Sequence, residues 1–171
     1  MDLKKHIRGI PDFPIPGILF YDISTILSNP GAWSYTIEQM SDLVRDLNPD
    51  IIAGIESRGF LLAAALSEKT STPMVMIRKA GKLPGDIISQ TYDLEYGTDT
   101  IEMQSDSIKQ GQSVLIVDDL LATGGTMAAS IELCKKFNAV ILGCCVIIEL
   151  TFLNAREKIE NNIYSLACYD K

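Results

Sequence analysis

The residues best suited to chemistry lie in one short stretch, where two adjacent acids precede a glycine-rich loop. The apolar run Val114–Val117 leads into Asp118 and Asp119, and residues 120–126, LLATGGT, follow. Where a strand feeds a helix through a tight loop, the first backbone N–H groups of the helix lack partners and, with the helix dipole, form an anion site. The two glycines let the backbone approach a ligand closely, and the two threonines add hydroxyl donors. The stretch therefore predicts a phosphate-binding loop.

Asp118 and Asp119 are unsuited to a phosphate, so we expect them to face another part of the ligand. The two cis hydroxyls of a ribose would donate to them, and a hydrated Mg²⁺ would also fit. A ribose 5-phosphate would satisfy both the acids and the loop. The alternative is purely structural, because a glycine pair after a strand is often only a tight turn and adjacent aspartates are often solvated. The spacings GK[ST] and GxGxxG are absent, which excludes a Walker A loop and a dinucleotide fingerprint.

The charge of the chain favours a small anionic ligand over nucleic acid. There are 22 acidic and 15 basic residues, a formal net charge of −7, and such a field repels nucleic acid phosphates. The basic residues cluster in one place only, at Arg78, Lys79 and Lys82, with Arg58 upstream. Local positive charge on a negative protein suggests that an anionic small molecule binds there.

Histidine and cysteine offer little alternative chemistry. The only histidine, His6, falls in a charged N-terminal segment, which leaves little for Ser-His or Cys-His catalysis. The four cysteines make no CxxC pair and no Cys/His ligand set, so structural zinc is not expected. Cys144 and Cys145 lie in an apolar run, where cysteine usually serves as a small buried hydrophobe.

The elements that must position these residues alternate between short apolar runs and amphipathic stretches, which is typical of an α/β fold with a largely parallel sheet. The length of 171 residues fits a single domain over residues 1–171. We predict strands over Ile51–Ile55, Met74–Ile77, Val114–Val117, Ala139–Glu149 and Ile163–Cys168. We predict helices over Trp33–Leu47, Phe60–Leu66, Gly125–Phe137 and Thr151–Asn161. Between them we expect a mobile loop over Ala80–Gln90 and a hairpin over Thr91–Gln104.

The sequence gives no sign of a membrane segment. No apolar run approaches the roughly 20 residues that a membrane helix needs, and Met1–His6 lacks the apolar core of a secretory signal. We therefore expect a cytoplasmic enzyme with no membrane partner.

Residues 114–126, VLIVDDLLATGGT, resemble the ribose-pyrophosphate-binding motif of type I phosphoribosyltransferases, and LLA at 120–122 is similar to the adenine-specific members. The resemblance implies their fold, a central mainly parallel sheet flanked by helices with a small N-terminal hood. It implies purine salvage, in which adenine and 5-phosphoribosyl-1-pyrophosphate give AMP and pyrophosphate. Magnesium would be held mainly through substrate and water, without a direct protein ligand. The residues expected to wrap the 5-phosphate are Ala122, Thr123, Gly124, Gly125 and Thr126, while Asp118 and Asp119 would hold the ribose hydroxyls.

Residues 12–23, DFPIPGILFYDI, match the hood of the adenine enzymes, which covers about residues 12–28 here. By this resemblance Phe20 would stack on one face of adenine and Leu120 on the other, with backbone groups around Leu19 and Tyr21 reading the base edge. The alternative for Phe20 is a plain core position. The family usually has Arg where this chain has Tyr21, so the resemblance assigns Tyr21 a backbone contact only.

Two further segments match the family at its pyrophosphate site. In GIESRGF, residues 54–60, the resemblance makes Arg58 a forked, catalytic donor to pyrophosphate; the alternative is a helix-capping Ser57 with Arg58 in solvent. In IRKAGKLP, residues 77–84, Arg78, Lys79 and Lys82 would neutralise the departing pyrophosphate. In the family this basic segment can reach the site of the neighbouring subunit, which implies a homodimer.

The segment YDLEYG, residues 92–97, supplies Glu95 as the candidate catalytic acid or base at adenine. The alternative is a solvated carboxylate in a hairpin. Two other functions stay open, a non-catalytic sensor of ribose phosphates and a transferase for another base. A sensor should lack the basic loop or carry a DNA-binding extension, and this chain has the loop.

Overall fold

The strands with the most apolar sequences form the centre of the sheet. A computed structural model describes residues 1–93 and 97–171. Strand β3 (Ile51–Ile55) is buried along its whole length, and β7 (Ser113–Leu121) lies beside it in parallel. Strands β4 (Met74–Lys79) and β8 (Val140–Leu150) flank this pair, again in parallel. Parallel strands buried on both faces require continuous apolar runs, which is the pattern seen here.

The remaining strands complete a seven-stranded sheet in the order β5-β6-β4-β3-β7-β8-β9. Strand β9 (Ile163–Tyr169) adds in parallel to β8. Strands β5 (Ile87–Asp93) and β6 (Thr98–Gln104) form an antiparallel hairpin, and β6 pairs antiparallel with β4. The expected α/β fold with a mainly parallel sheet is confirmed.

The described part of the chain has four α-helices: α1 (Ser24–Leu27), α2 (Pro30–Val44), α3 (Gly59–Thr70) and α4 (Gly125–Lys135). Helices α2, α3 and α4 pack on the sheet, and α1 packs against α2. Gly54 lets α3 approach β3, because a Cβ there would lie 2.7 Å from the Cβ of Ala63. Among the described residues no helix combines the length and apolar character that crossing a membrane demands.

The segment that we expected to form the hood begins with a separate two-stranded sheet. Strands β1 (Arg8–Pro11) and β2 (Leu19–Asp22) pair antiparallel. Arg8 donates from Nε to Asp22, 3.2 Å away, and Asp22 also accepts from the backbone N–H of Ser24 at 2.9 Å. These contacts tie the hairpin to the start of α1.

Two sequence predictions were wrong, and several elements were predicted too short, among them α3, β4 and β7. Residues 87–90, expected in a loop, are the first residues of β5, and they alternate between exposed and half-buried because one face of this strand is open. The predicted helix over Thr151–Asn161 is instead two short 3-10 helices, Thr151–Leu153 and Ala155–Glu157. Asn154 takes a left-handed conformation (φ 53°) between them, which breaks helical continuity. Strand β7 runs on to Leu121, so both aspartates belong to the strand.

Candidate active site

The predicted site residues gather at the carboxyl ends of the two central strands. Residues 56–58 follow β3, and the acid pair lies near the end of β7. Ligands of α/β sheets bind at this edge, outside the carboxyl ends of the strands. A cavity of about 430 Å³ opens here. Six of the predicted residues line it: Arg58, Lys79, Asp118, Asp119, Leu120 and Thr126.

The predicted phosphate-binding loop joins β7 to α4 in the expected order of strand, loop and helix. Gly124 takes φ 82°, and its carbonyl accepts the first helical hydrogen bond of α4, from the Ala128 N–H at 2.9 Å. The preceding N–H groups of an α-helix have no partner within the helix, so they are available to an anion at its N-terminus. A smaller cavity of about 110 Å³ lies on this loop and is lined by residues 120–127, which include Ala122, Thr123 and Gly125.

The two aspartates form a largely buried acid pair, and the positive charge of Arg58 compensates only part of their negative charge. Burial, together with the neighbouring Asp119 carboxylate, raises the pKa of Asp118 well above its usual value. Burial also raises the pKa of Asp119, although the Arg58 guanidinium opposes that effect. Arg58 Nε lies 3.1 Å from Asp119 Oδ2, but this buried oxygen has no aligned hydrogen-bond donor. The pair is therefore suited to receive hydroxyl donors or the water shell of a cation.

Glycine brings the acid pair and the loop after β3 together. A Cβ at Gly59 would lie 2.7 Å from the Val117 carbonyl and 2.9 Å from Asp118 Oδ1. Both distances are below ordinary van der Waals contact, so only glycine allows α3 to begin this close to β7.

Glu56 organises the basic cluster, a role that sequence reasoning did not assign. Its carboxylate accepts from Arg78 Nε at 3.3 Å and from the Lys79 backbone N–H at 2.9 Å, and it pairs with the Lys82 ammonium. Burial alone would raise the pKa of Glu56, but hydrogen bonds from Lys82, Lys79 and Arg78 outweigh it and lower the pKa to about 2. An acid two residues before Arg58 is the one sequence signal for this role.

The cations of the cluster point in different directions. The Lys79 side chain lines the cavity and lies 3.1 Å from Asp99 Oδ2, and the hydrogen bond to Asp99 raises the pKa of Lys79. Arg78 and Lys82 are drawn to Glu56, and Arg78 also donates to the Lys82 carbonyl at 3.2 Å. Lys79 is thus the member of the predicted trio whose side chain the structure brings directly into the cavity.

Tyr92 links the hairpin to the phosphate-binding loop, which sequence reasoning also missed. Its hydroxyl lies 3.1 Å from Thr126 Oγ1 and 3.4 Å from Asp99 Oδ2. Glu95, the predicted acid or base, lies outside the described residues.

Phe20 is placed beside the cavity through Arg58. The guanidinium carbon of Arg58 lies 5.1 Å from the Phe20 ring centroid, and Phe13 packs edge-on against Phe20 at 5.0 Å. Phe20 is half-buried and Leu19 is exposed, whereas Leu120 lines the cavity itself. Of the two residues expected to stack on the base, Leu120 of β7 therefore lines the cavity, whereas Phe20 of β2 contacts Arg58, which lines it.

The Tyr21 side chain turns away from the site. Its ring packs against Tyr169 of β9 with centroids 4.2 Å apart, and it is buried. Burial raises the pKa of the Tyr21 hydroxyl. Only the backbone of this residue is left for contact with a ligand.

No group of three or more His, Cys, Asp or Glu side chains that could hold a metal occurs within residues 1–93 and 97–171. The acid pair still fits a hydrated cation, because Asp119 Oδ2 is buried and lacks a donor. The donor chemistry thus suits a magnesium ion whose direct ligands are water and phosphate oxygens.

Comparison with known proteins agrees with this geometry. The model of the phosphoribosyl transferase domain matches residues 22–168. An adenine phosphoribosyltransferase of Rhodospirillum rubrum is 55% identical over 170 residues, with 99% of both chains covered. One of Gluconacetobacter diazotrophicus is 52% identical, covering 99% of this chain and 97% of the relative.

Solved structures extend the similarity to three dimensions. The adenine phosphoribosyltransferase of Thermoanaerobacter pseudethanolicus superposes with a TM-score of 0.96 at 43% identity, covering 98% of both chains. That of Saccharomyces cerevisiae, in complex with an imino-altritol bisphosphate and adenine, gives 0.91 at 39% identity and covers 96% of both. The chain therefore belongs to the adenine phosphoribosyltransferases within the phosphoribosyl transferase family.

Proposed function

We propose that this chain converts adenine and 5-phosphoribosyl-1-pyrophosphate to AMP and pyrophosphate. The observation that carries the proposal is the shared cavity. The acid pair, Thr126 at the N-terminus of α4, and the cations Arg58 and Lys79 line it. The glycine loop lines the smaller cavity next to it, and the two cavities share Asp118, Leu120 and Thr126. A ribose with a 5-phosphate and a pyrophosphate presents the complementary groups, namely a diol and two anions. A relative from Trypanosoma brucei, 27% identical, was crystallised with AMP, pyrophosphate and ribose 5-phosphate.

The phosphate-binding loop would hold the substrate by its 5-phosphate. The backbone N–H groups of residues 122–126 and the hydroxyls of Thr123 and Thr126 donate to it. Asp118 and Asp119 accept from the ribose hydroxyls, which supplies the missing donor at Asp119 Oδ2. The diol and the phosphate fix both ends of the sugar, so the C1 carbon is presented in one orientation.

The reaction breaks the bond from ribose C1 to pyrophosphate and joins C1 to a ring nitrogen of adenine. Positive charge develops on the ribose and negative charge on the leaving group, so electrostatic stabilisation should dominate. Arg58 and Lys79 face the leaving group directly. Arg78 and Lys82 add charge behind them while Glu56 keeps their side chains in place.

Adenine would enter between Phe20 and Leu120. Stacking on an aromatic face suits a flat, uncharged purine, and backbone groups of Leu19 and Tyr21 would read its edge. Glu95 would take up the proton that the ring nitrogen releases. The buried ring of Tyr21 agrees with a backbone role for that residue.

Magnesium, when bound, would neutralise charge on the pyrophosphate. The substrate oxygens and water would be its ligands, with Asp118 and Asp119 accepting hydrogen bonds from the bound water. We also propose a homodimer, since residues 79–82 of the basic segment are exposed at the cavity edge. A cytoplasmic location is supported by the free thiols of Cys134, Cys144, Cys145 and Cys168, because such thiols persist in a reducing compartment.

A panel of bases tests the proposal. The purified chain is incubated with 5-phosphoribosyl-1-pyrophosphate, Mg²⁺ and, in turn, adenine, hypoxanthine, guanine or orotate, and nucleotide formation is followed by chromatography. We expect AMP and an equal amount of pyrophosphate with adenine, and little product with the others. Turnover of only one of the other bases would refute the adenine specificity. Absence of product with every base, adenine included, would favour a sensor.

A further inference from the structure

An ion pair outside the cavity joins buried Glu149 to half-exposed Arg156, in the segment that lies against the phosphate-binding loop. Glu149, at the carboxyl end of β8, is only 2% exposed. Its two oxygens accept from Arg156 Nε at 2.6 Å and Arg156 Nη2 at 2.8 Å, and Ser165 Oγ donates at 2.7 Å. The hydrogen bonds from Arg156, opposed by burial and aided by Ser165, lower the pKa of Glu149, so the carboxylate stays charged.

Arg156 binds two strands at once. In addition to Glu149 on β8, its Nη2 donates to the Ile163 carbonyl at the start of β9, 3.2 Å away. A planar guanidinium with several fixed donors can make such contacts together, which a lysine ammonium cannot reproduce. The main chain at residues 155–157 is thereby fixed relative to the sheet.

Ala155, the residue before Arg156, lies against the phosphate-binding loop. It is 3% exposed, and a Cβ at Gly124 would lie 3.1 Å from its Cβ and 3.3 Å from its Cα and its carbonyl oxygen. Gly124 is the residue with φ 82° whose carbonyl starts α4. Ala155 therefore occupies the space that a side chain at position 124 would need, so the two segments lie close together.

We propose that Glu149 and Arg156 are positioning residues for the 5-phosphate site. Their ion pair fixes the position of Ala155 beside Gly124. The position of Ala155 in turn sets the backbone conformation of the loop, and therefore the direction in which its N–H groups point toward the phosphate. This inference rests on the proposed function, because that function places the 5-phosphate on this loop. The pair acts on the phosphate end of the substrate, since Ala155 lies beside Gly124 and does not line the cavity of Arg58 and Lys79.

The test compares the two anion subsites of one protein. Binding of ribose 5-phosphate and of pyrophosphate with Mg²⁺ is measured by calorimetry for the unaltered chain and for Arg156→Gln. We expect the affinity for ribose 5-phosphate to fall about tenfold, which corresponds to about one charge-assisted hydrogen bond lost at the loop. The affinity for pyrophosphate should stay within twofold. In steady-state kinetics the KM for 5-phosphoribosyl-1-pyrophosphate should rise while the KM for adenine stays constant.

Two further variants separate positioning from folding. Ala155→Val leaves the ion pair intact but presses on Gly124, so it should produce the same selective loss even where Arg156→Gln folds poorly. Arg156→Lys keeps the charge but not the fork, and we expect it not to restore binding. Lys69→Gln, which removes the ion pair to Glu38 (2.8 Å) between α3 and α2, is the control and should leave both affinities unchanged.

The outcomes distinguish this inference from the proposed function. Unchanged ribose 5-phosphate affinity in folded Arg156→Gln and Ala155→Val, or equal loss at both subsites, would overturn the positioning role and leave the function intact. Failure of the unaltered chain to bind either ligand would overturn the function itself.

Discussion

Adding one methyl group at Gly59 should strongly lower activity, although Gly59 does not line the cavity. The Cβ of Gly59→Ala would lie 2.7 Å from the Val117 carbonyl and 2.9 Å from Asp118 Oδ1, whereas ordinary contacts begin near 3.4 Å. The start of α3 and the end of β7 must then separate by about half an ångström or more. Displacement of reacting groups by about 1 Å can cost roughly 100-fold in rate, so we expect kcat/KM to fall 10- to 100-fold. Overpacking should also lower stability by about 1–3 kcal/mol.

The assay is AMP formation at varied 5-phosphoribosyl-1-pyrophosphate, together with thermal unfolding. Gly31→Ala in α2 is the matched control, because its Cβ would meet only Asn29 Oδ1, at 3.4 Å. We expect that control to keep full activity. A value of kcat/KM within twofold of normal in Gly59→Ala would refute the claim that activity depends on the position of Asp118.

Two other predictions concern Glu56 and Phe20. The pKa of Glu56 is lowered from 4.5 to about 2 in the folded chain, so its contribution to stability is present above about pH 4.5 and is lost as the pH falls toward 2. With Lys82 half exposed, solvent screening reduces that contribution to about 1–2 kcal/mol. Between pH 7 and pH 3, the free energy of unfolding measured with urea should therefore fall less in Glu56→Gln than in the unaltered chain. An equal fall in the two proteins would contradict the role of Glu56. Phe20→Ala should raise the KM for adenine about tenfold, since base stacking is worth roughly 1–3 kcal/mol, and change the KM for 5-phosphoribosyl-1-pyrophosphate less than threefold. Exposed Leu43→Ala is the control, and an unchanged adenine KM in Phe20→Ala would mean that Phe20 does not stack on the base.

The parts of the fold that sequence predicted correctly depend on local patterns. The apolar runs of β3 and β7 predicted buried strands, and both strands lie in the core. The acid-glycine motif is contiguous in sequence, so its strand, loop and helix could be predicted together. The meeting of Arg58 with Asp119 also follows once two parallel strands are expected to end side by side.

The parts that sequence did not predict depend on distant pairs. The left-handed conformation of Asn154 breaks the helix predicted after residue 151, and Arg156 pairs with Glu149 across that break. Glu56 meets cations that lie more than 20 residues away. The stacking of Tyr21 on Tyr169 joins the two ends of the chain, so the local motif around Tyr21 could not reveal where its ring points.

Calorimetric titration of 5-phosphoribosyl-1-pyrophosphate, with Mg²⁺ and without adenine, tests the central claim most directly. The unaltered chain should bind it, and Asp118→Asn/Asp119→Asn should bind about 10- to 100-fold more weakly, because hydrogen bonds to charged acceptors are worth about 1.5–3 kcal/mol. Equal affinity in the two proteins would mean that the acid pair does not hold the ribose, and absence of binding to the unaltered chain would contradict the whole account.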